Sequence, residues 1–258
     1  MSGTFLLGAS ALWRREMVRF IRQRSRIVGA FASPLIFWLL LGFGVGSSFS
    51  ASTQGRSMGY QEYFFPGTVL MILLFTSIFS TISIIEDRKE GFLQAVLVAP
   101  VPRSALVFGK LLGGTSLAMM QGVLFMMLAP LVGISIRRIP AALVMLALVS
   151  FGLTALGYVI AWKMDSTQGF HAIMNLFLIP MWLLSGAVFP ASGAPAWLRT
   201  VIGLNPLTYG MSAVRWSIYG RDVASSMGIP GFAVSLGVTL AFTAVVFAAA
   251  ITMTRRTA

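Results

Sequence analysis

The chain has 258 residues, of which 57% are hydrophobic and 10% charged, with a net charge of +12. An ordinary soluble domain carries about a quarter charged residues, so this composition excludes a soluble globular fold and points to an integral membrane protein. There is no cysteine and one histidine, His171, which excludes a disulfide framework and a thiolate metal site. The positive charge has no soluble basic domain to carry it, so it reads as orientation and lipid-headgroup charge, and nucleic acid is not expected as a partner.

The first element is a basic segment, residues 10–26. Arg15, Arg19, Arg22 and Arg26 recur at helical spacing, with Trp13, Met17, Phe20 and Ile21 on the other face. This pattern predicts an amphipathic helix lying along a membrane surface. Six apolar runs follow, at 27–45, 64–85, 105–132, 141–162, 170–189 and 232–252. Each is close to or longer than the roughly 20 residues that cross a bilayer. Continuous apolarity makes them helices rather than barrel strands. The first run is too long for a secretory leader and lacks a small-residue cleavage site. Pro34 and Pro180 predict kinks in spans one and five, and Gly113, Gly114 and Gly122 predict close helix packing in span three.

Six spans put both termini on one side. Arg14 to Arg26, Arg88, Lys89, Arg103, Lys110, Lys163, Arg255 and Arg256 fall on that side. Arg56, Arg137, Arg138, Arg199, Arg215 and Arg221 fall on the other. The asymmetry predicts cytoplasmic termini. The Arg137-Arg138 pair runs against it.

Between spans two and three lies EDRKEGFLQAVLVAPVPRS, residues 86–104. Glu86, Asp87, Arg88, Lys89 and Glu90 form a charged head. Phe92, Leu93, Val96 and Leu97 form an apolar face, and Pro100 and Pro102 end the segment. Such a helix at the end of a hairpin is suited to a groove on a soluble partner. Between spans five and six, residues 190–222 are too long for a turn and largely apolar. Trp197 to Ile202 have helical spacing, Asn205-Pro206 starts a second segment, and Tyr209 and Arg215 follow. Two helices dipping back into the outer leaflet fit this pattern. Arg215 is read as binding an anionic headgroup, pairing with Glu62 or Asp222, or snorkelling. His171 is read as an interfacial residue close to Asp165.

Several stretches, in order, resemble the ABC-2 type permeases, the membrane subunits of bacterial ABC exporters. They are REMVRFIRQR at 15–24, YFFPGTVLM at 63–71, VLVAPVPRS at 96–104, LLSGAVFP at 183–190 and LNPLTYGMSAVRWSIYG at 204–220. The resemblance implies an all-α membrane protein of six spans with three accessory features. These are an N-terminal amphipathic connecting helix, a cytoplasmic coupling helix at 86–98 and re-entrant external helices that cap the pathway. It implies a single transmembrane domain over the whole chain, a bacterial inner-membrane location and a second permease copy, as a homodimer. Two ATP-binding subunits would carry the ATP and Mg, with spans one, two and five lining the pathway. Phe37, Trp38, Phe75, Phe79, Met174, Phe177 and Met181 are candidate lining residues on those spans. The cargo expected on such an apolar path is lipidic, amphipathic or drug-like.

The residues agree that any ATP motor is elsewhere. The only Gly-Lys is Gly109-Lys110, followed by Leu111 and with Ser104 where a phosphate-binding loop needs glycine. An ion-coupled transporter would place charged residues at the span centres, and a membrane enzyme would need a polar catalytic set there. Neither is visible. A non-transporting anchor for a soluble complex is compatible with the cytoplasmic helices but gives the kinked spans and the outer cap no purpose.

Overall fold

The structure is a computed structural model and describes residues 2–22, 24–44, 51–53 and 56–256. Helix α1 (Ser2–Arg22) leads into α2 (Arg24–Gly44). A small antiparallel hairpin follows, β1 (Ala51–Thr53) with β2 (Arg56–Met58), in which Ala51 faces Met58. Next come α3 (Tyr60–Ser80), α4 (Ile82–Lys89), α5 (Phe92–Val98), α6 (Arg103–Met126) and α7 (Ile139–Trp162). The chain closes with α8 (Thr167–Trp182), α9 (Ala196–Leu204), α10 (Pro206–Ser226) and α11 (Phe232–Arg256). Among the described residues, five helical stretches are long and apolar enough to cross a bilayer: Tyr60–Lys89, Arg103–Val132, Ile139–Trp162, Thr167–Ala187 and Phe232–Arg255. The described apolar part of α2, Ala32–Gly44, is shorter.

Helix α3 is the axis of the bundle. Phe64, Phe65, Val69, Leu70, Ile72, Leu73 and Leu74 are all fully buried, because α2, α6, α7, α8 and α10 surround it. A helix that is apolar on every face is stable only in such surroundings or in lipid. Helix α11 is the opposite case: Val234, Leu240 and Val245 stay exposed, and it packs by one side on α7 and α10. Helices α3 and α4 are separated only by Thr81 and continue over 30 residues, roughly 45 Å at 1.5 Å per residue. The bilayer core is about 30 Å thick, so the charged end of α4 extends past it.

Helix α1 begins eight residues earlier than the sequence pattern indicates, and it packs on α6 instead of floating on a surface. Its buried residues Ala9, Leu12, Glu16 and Phe20 follow helical spacing and form one face. Gly109 and Gly113, one turn apart on α6, receive that face. A Cβ at Gly109 would lie 2.7 Å from the Ala9 carbonyl oxygen, and one at Gly113 would lie 2.7 Å from the Glu16 Cβ. Small residues four apart let two helix backbones approach this closely.

Two further differences have local causes. The kink expected at Pro180 is displaced: Pro180 stays inside α8, and the helix loosens into a wide turn at Leu183–Ala187, where Gly186 takes φ 78°. The wide turn fits against α3, since Tyr63 donates to the Gly186 carbonyl at 3.0 Å and Trp182 Nε1 to the Gly67 carbonyl at 2.8 Å. The segment expected as one coupling helix is two pieces. Gly91 adopts φ 77° between α4 and α5, a left-handed conformation that glycine tolerates without steric cost.

Candidate functional site

The end of the bundle that holds α1, α4 and α5 carries a charge cluster. Asp87 is fully buried on α4. Arg15 grips it with two hydrogen bonds, Nη1 to Oδ2 at 2.9 Å and Nη2 to Oδ1 at 2.6 Å. Arg19 Nη1 adds a third at 3.0 Å, and Lys110 Nζ of α6 supplies a fourth. Four donors match the four lone-pair sites of a carboxylate. Lys110 also donates to Glu16 Oε1 at 2.5 Å and to Ser83 Oγ at 3.1 Å. Arg19 Nη2 reaches Glu86 Oε2 at 2.6 Å. Glu90 Oε1 lies 3.8 Å from the same Arg19 nitrogen at the exposed edge. Arg15, Arg19 and Lys110 thus join α1, α4 and α6 through Glu16, Glu86 and Asp87.

Burial alone would lower the Arg15 pKa, but hydrogen bonding and charge from Asp87 more than offset it, so the guanidinium is held above its ordinary value. Its plane also lies over the Phe92 ring, 3.7 Å from the centroid, which carries the cluster on to α5.

Arg88 makes a separate tie. Its guanidinium donates to the Trp162 carbonyl at 2.5 Å, to the Met164 carbonyl at 3.3 Å and to Asp165 Oδ1 at 3.0 Å. Helix α4 is therefore fastened to the turn between α7 and α8 as well.

Most of the residues expected to face a partner are engaged within the chain. Asp87 and Leu93 are buried within the chain, Phe92, Val96 and Leu97 pack against the core, and Glu86 and Arg88 bond internally. The apolar face of α5 is turned toward the spans because those spans are the nearest apolar surface. The side that remains open presents Lys89, Glu90, Gln94, Ala95 and Val98, with Val98 86% exposed. Gln94, Ala95 and Val98 were not singled out by sequence reasoning. Glu16 and Lys110 were missed as a pair. The signal was present, because a lone lysine in an apolar run needs a carboxylate partner.

On α1 the expected two-faced pattern also changes. Arg15 and Arg19 point into the charge cluster, while Phe20 is buried, Met17 is half-buried and Arg22 is exposed. Trp13 is partly exposed and its Nε1 donates to Ser116 Oγ at 3.0 Å. The Arg26 side chain lies outside the described residues.

A second feature begins beside this cluster. A cavity of about 590 Å³ runs between α1, α2, α3 and α8, lined by Phe37, Phe75, Thr76, Phe79, His171 and Trp182 among others, with Glu16 and Arg19 at one end. Phe37, Phe75 and Phe79 therefore meet at one space, as a lining would. Trp38 does not: it is buried, its Nε1 donates to the Gln61 carbonyl at 3.3 Å, and it packs edge-on against Phe65 and Phe125. Met174 is buried and Met181 lines a separate small space near α10 and α11. Phe177 is 64% exposed on the outer side of α8. His171 faces the cavity with its ring 4.8 Å from that of Phe79, while Asp165 is taken up by Arg88.

At the far end, α9 and α10 form the two expected helices. Asn205 caps α10, accepting from the Leu207 amide at 3.0 Å, and donates to the Met181 carbonyl at 2.6 Å. Pro206 occupies the first turn, where its missing N–H costs nothing. Trp197 is 68% exposed and Tyr209 donates to the Gly203 carbonyl at 2.9 Å. Arg215 is 1% exposed rather than snorkelling, lies 4.2 Å over the Tyr63 ring, and donates to the Tyr63 carbonyl at 3.4 Å.

Among the described residues no group of three or more His, Cys, Asp or Glu could hold a metal.

Comparison with known proteins identifies the family. Residues 9–219 match the family described as ABC-2 type transporter. Nodulation protein J of Sinorhizobium fredii is 28% identical over 217 residues, covering 82% of this chain and 81% of that protein. Nodulation protein J of Rhizobium leguminosarum bv. viciae is 25% identical over 221 residues, 83% of each. The ycf38 product of Cyanophora paradoxa, described as a transport permease, is 24% identical over 216 residues, 82% of this chain and 74% of that protein. The family match takes in the charge cluster, the cavity and the capped helix pair, and the chain accordingly belongs to the ABC-2 type transporter family as a membrane permease subunit.

Proposed function

We propose that this chain is the membrane half of an ATP-driven exporter in the bacterial inner membrane, with both termini cytoplasmic and α2 as the first of six spans. A permease of this family implies an ATP-binding partner subunit. In the proposed assembly two such subunits, which bind the ATP and Mg, dock against the open side of the α4–α5 elbow: Lys89, Glu90, Gln94, Ala95 and Val98. Two permease copies enclose the pathway between them, and the cavity flanked by Phe37, Phe75 and Phe79 forms one wall of it. The cargo is hydrophobic or amphipathic, since the lining is mostly aromatic and aliphatic. Helices α9 and α10 close the external end.

The observation that carries this reading is the buried cluster around Asp87. A push on α5 meets Phe92 and Arg15, then Asp87, then Lys110, so it reaches α1, α4 and α6 as one unit rather than bending a loop. The cavity adjoins the same cluster through Glu16 and Arg19, which supports a pathway that opens as the cluster moves.

The test is a pull-down of the tagged chain from its native membrane in mild detergent. A stoichiometric subunit with a phosphate-binding loop is expected. Its loss on Val98→Glu, with the permease still folded, would fix the docking side. Absence of any ATP-binding partner while the chain stays dimeric would overturn the exporter reading.

A further inference from the structure

Two arginines from the side with fewer basic residues, Arg138 and Arg221, meet at one pocket. At the end of the bundle opposite the Asp87 cluster, a pocket of about 310 Å³ is lined by Arg138, Ala141, Trp216, Ser217, Arg221 and Phe232. Three local features build it. The Arg137 amide donates to the Ile218 carbonyl at 3.0 Å and so fastens the turn before α7 to α10. Helix α10 breaks at Gly220, with φ 80° and ψ −178°, which redirects the next residue, Arg221. Trp216 is held in orientation by its Nε1, which donates to the Pro230 carbonyl at 2.9 Å.

The pocket is electropositive beyond its two side chains. Arg138 and Arg221 take part in no ion pair among the described residues. Helices α7 and α11 both begin beside it, and neither has an acid in its first turn. Their amino-terminal dipoles therefore add positive potential. Arg138 is the residue that precedes α7. The pocket lies at the end of the spans, where a tryptophan marks the usual depth of headgroups. Below it, Ile139, Val144 and Val234 are exposed apolar residues on α7 and α11, which offer a surface to acyl chains.

We propose that this pocket binds the phosphate of an anionic phospholipid headgroup, with Arg138 and Arg221 as the charge partners and Trp216 as one wall. A soluble phosphate shares the charge chemistry. The exposed apolar residues beside the pocket favour the lipid. The proposal depends on membrane residence and not on the exporter reading.

The experiment is native mass spectrometry of the purified full-length chain with phosphatidylglycerol or phosphatidylcholine, with and without millimolar inorganic phosphate. Phosphatidylglycerol should be retained in preference to phosphatidylcholine, and inorganic phosphate should not displace it. Arg138→Gln with Arg221→Gln should weaken retention by about tenfold or more, since each basic contact near an anionic surface contributes on the order of one such step. Arg199→Gln with Arg255→Gln removes the same charge from exposed positions elsewhere and should change retention less than about twofold. Three results would each overturn the proposal: equal losses in the two double variants, unchanged retention in the first, or full displacement by phosphate.

Discussion

Lys110 and Asp87 are the residues on which the charged end of the bundle depends. Removing one partner of a buried ion pair leaves an uncompensated charge and costs about 3–5 kcal/mol. Lys110→Met should therefore lower the melting temperature of the detergent-solubilised chain by several degrees. Glu16 loses its closest cation in that variant, so Glu16→Gln combined with Lys110→Met should be less destabilised than the two single changes added together. A coupling of about 1 kcal/mol or more in the double-mutant cycle is expected; additivity would mean that the pair is not formed. The cluster also revises how the docking surface has to be probed. Reversing Asp87 would break this chain's own core. Val98→Glu leaves every internal contact described above in place and should weaken association with an ATP-binding subunit by about tenfold or more, measured by co-purification. Asn205→Ala removes both the α10 cap and the bond to the Met181 carbonyl. A loss of about 1–2 kcal/mol in thermal or denaturant unfolding is expected.

The elements show why these residues meet. Helices α1 and α6 run close because Gly109 and Gly113 offer no side chain at the crossing, and only that closeness brings Glu16 within reach of Lys110. Gly113→Leu would drive a side chain into Glu16, so α1 should lift from α6 and become protease-sensitive at Arg14 and Arg15, with about 1–3 kcal/mol lost to overpacking. The same change at Gly203, which has open space around its missing Cβ, should leave α1 protected. The amphipathic pattern begun at residue 10 announced a helix that the structure carries as far as Arg22, but not its docking. Spacing alone shows which residues share a face, and a mixed face of Ala9, Leu12, Glu16 and Phe20 looks unremarkable until a groove with a buried lysine is placed against it. In α5 the apolar face was legible as a face. Its direction was not, since an apolar face can be received either by the spans or by the surface of another protein.

At the scale of the whole molecule, the exposed apolar surface is distributed unevenly. Helix α8 presents Ile173, Leu176, Phe177 and Ile179, and α2 presents Ile36, Phe37, Leu40 and Phe43. These flank the cavity, and in the proposed assembly they face the second copy. The natural chain has no cysteine, so single introduced cysteines give a clean report. Phe177→Cys in native membranes should form cross-linked dimers on mild oxidation, and Val245→Cys on α11 should not. The reverse pattern would move the permease interface to α11.

Composition and run length were enough to determine that this chain is a helical membrane protein with a short charged amphipathic segment after its second apolar run and a long, largely apolar connection before its last. Ordered motifs added its family. Those features are local or additive: an apolar run must be satisfied within lipid wherever it packs. What the tertiary structure alone decided is which charges neutralise one another, which side of α5 stays open, and that only three of the seven aromatic and methionine candidates line one cavity. Those outcomes depend on contacts between residues tens of positions apart, such as Arg15 with Asp87 and Asp87 with Lys110. Periodicity reports the face a residue occupies on its own helix and carries no information about what that face will meet.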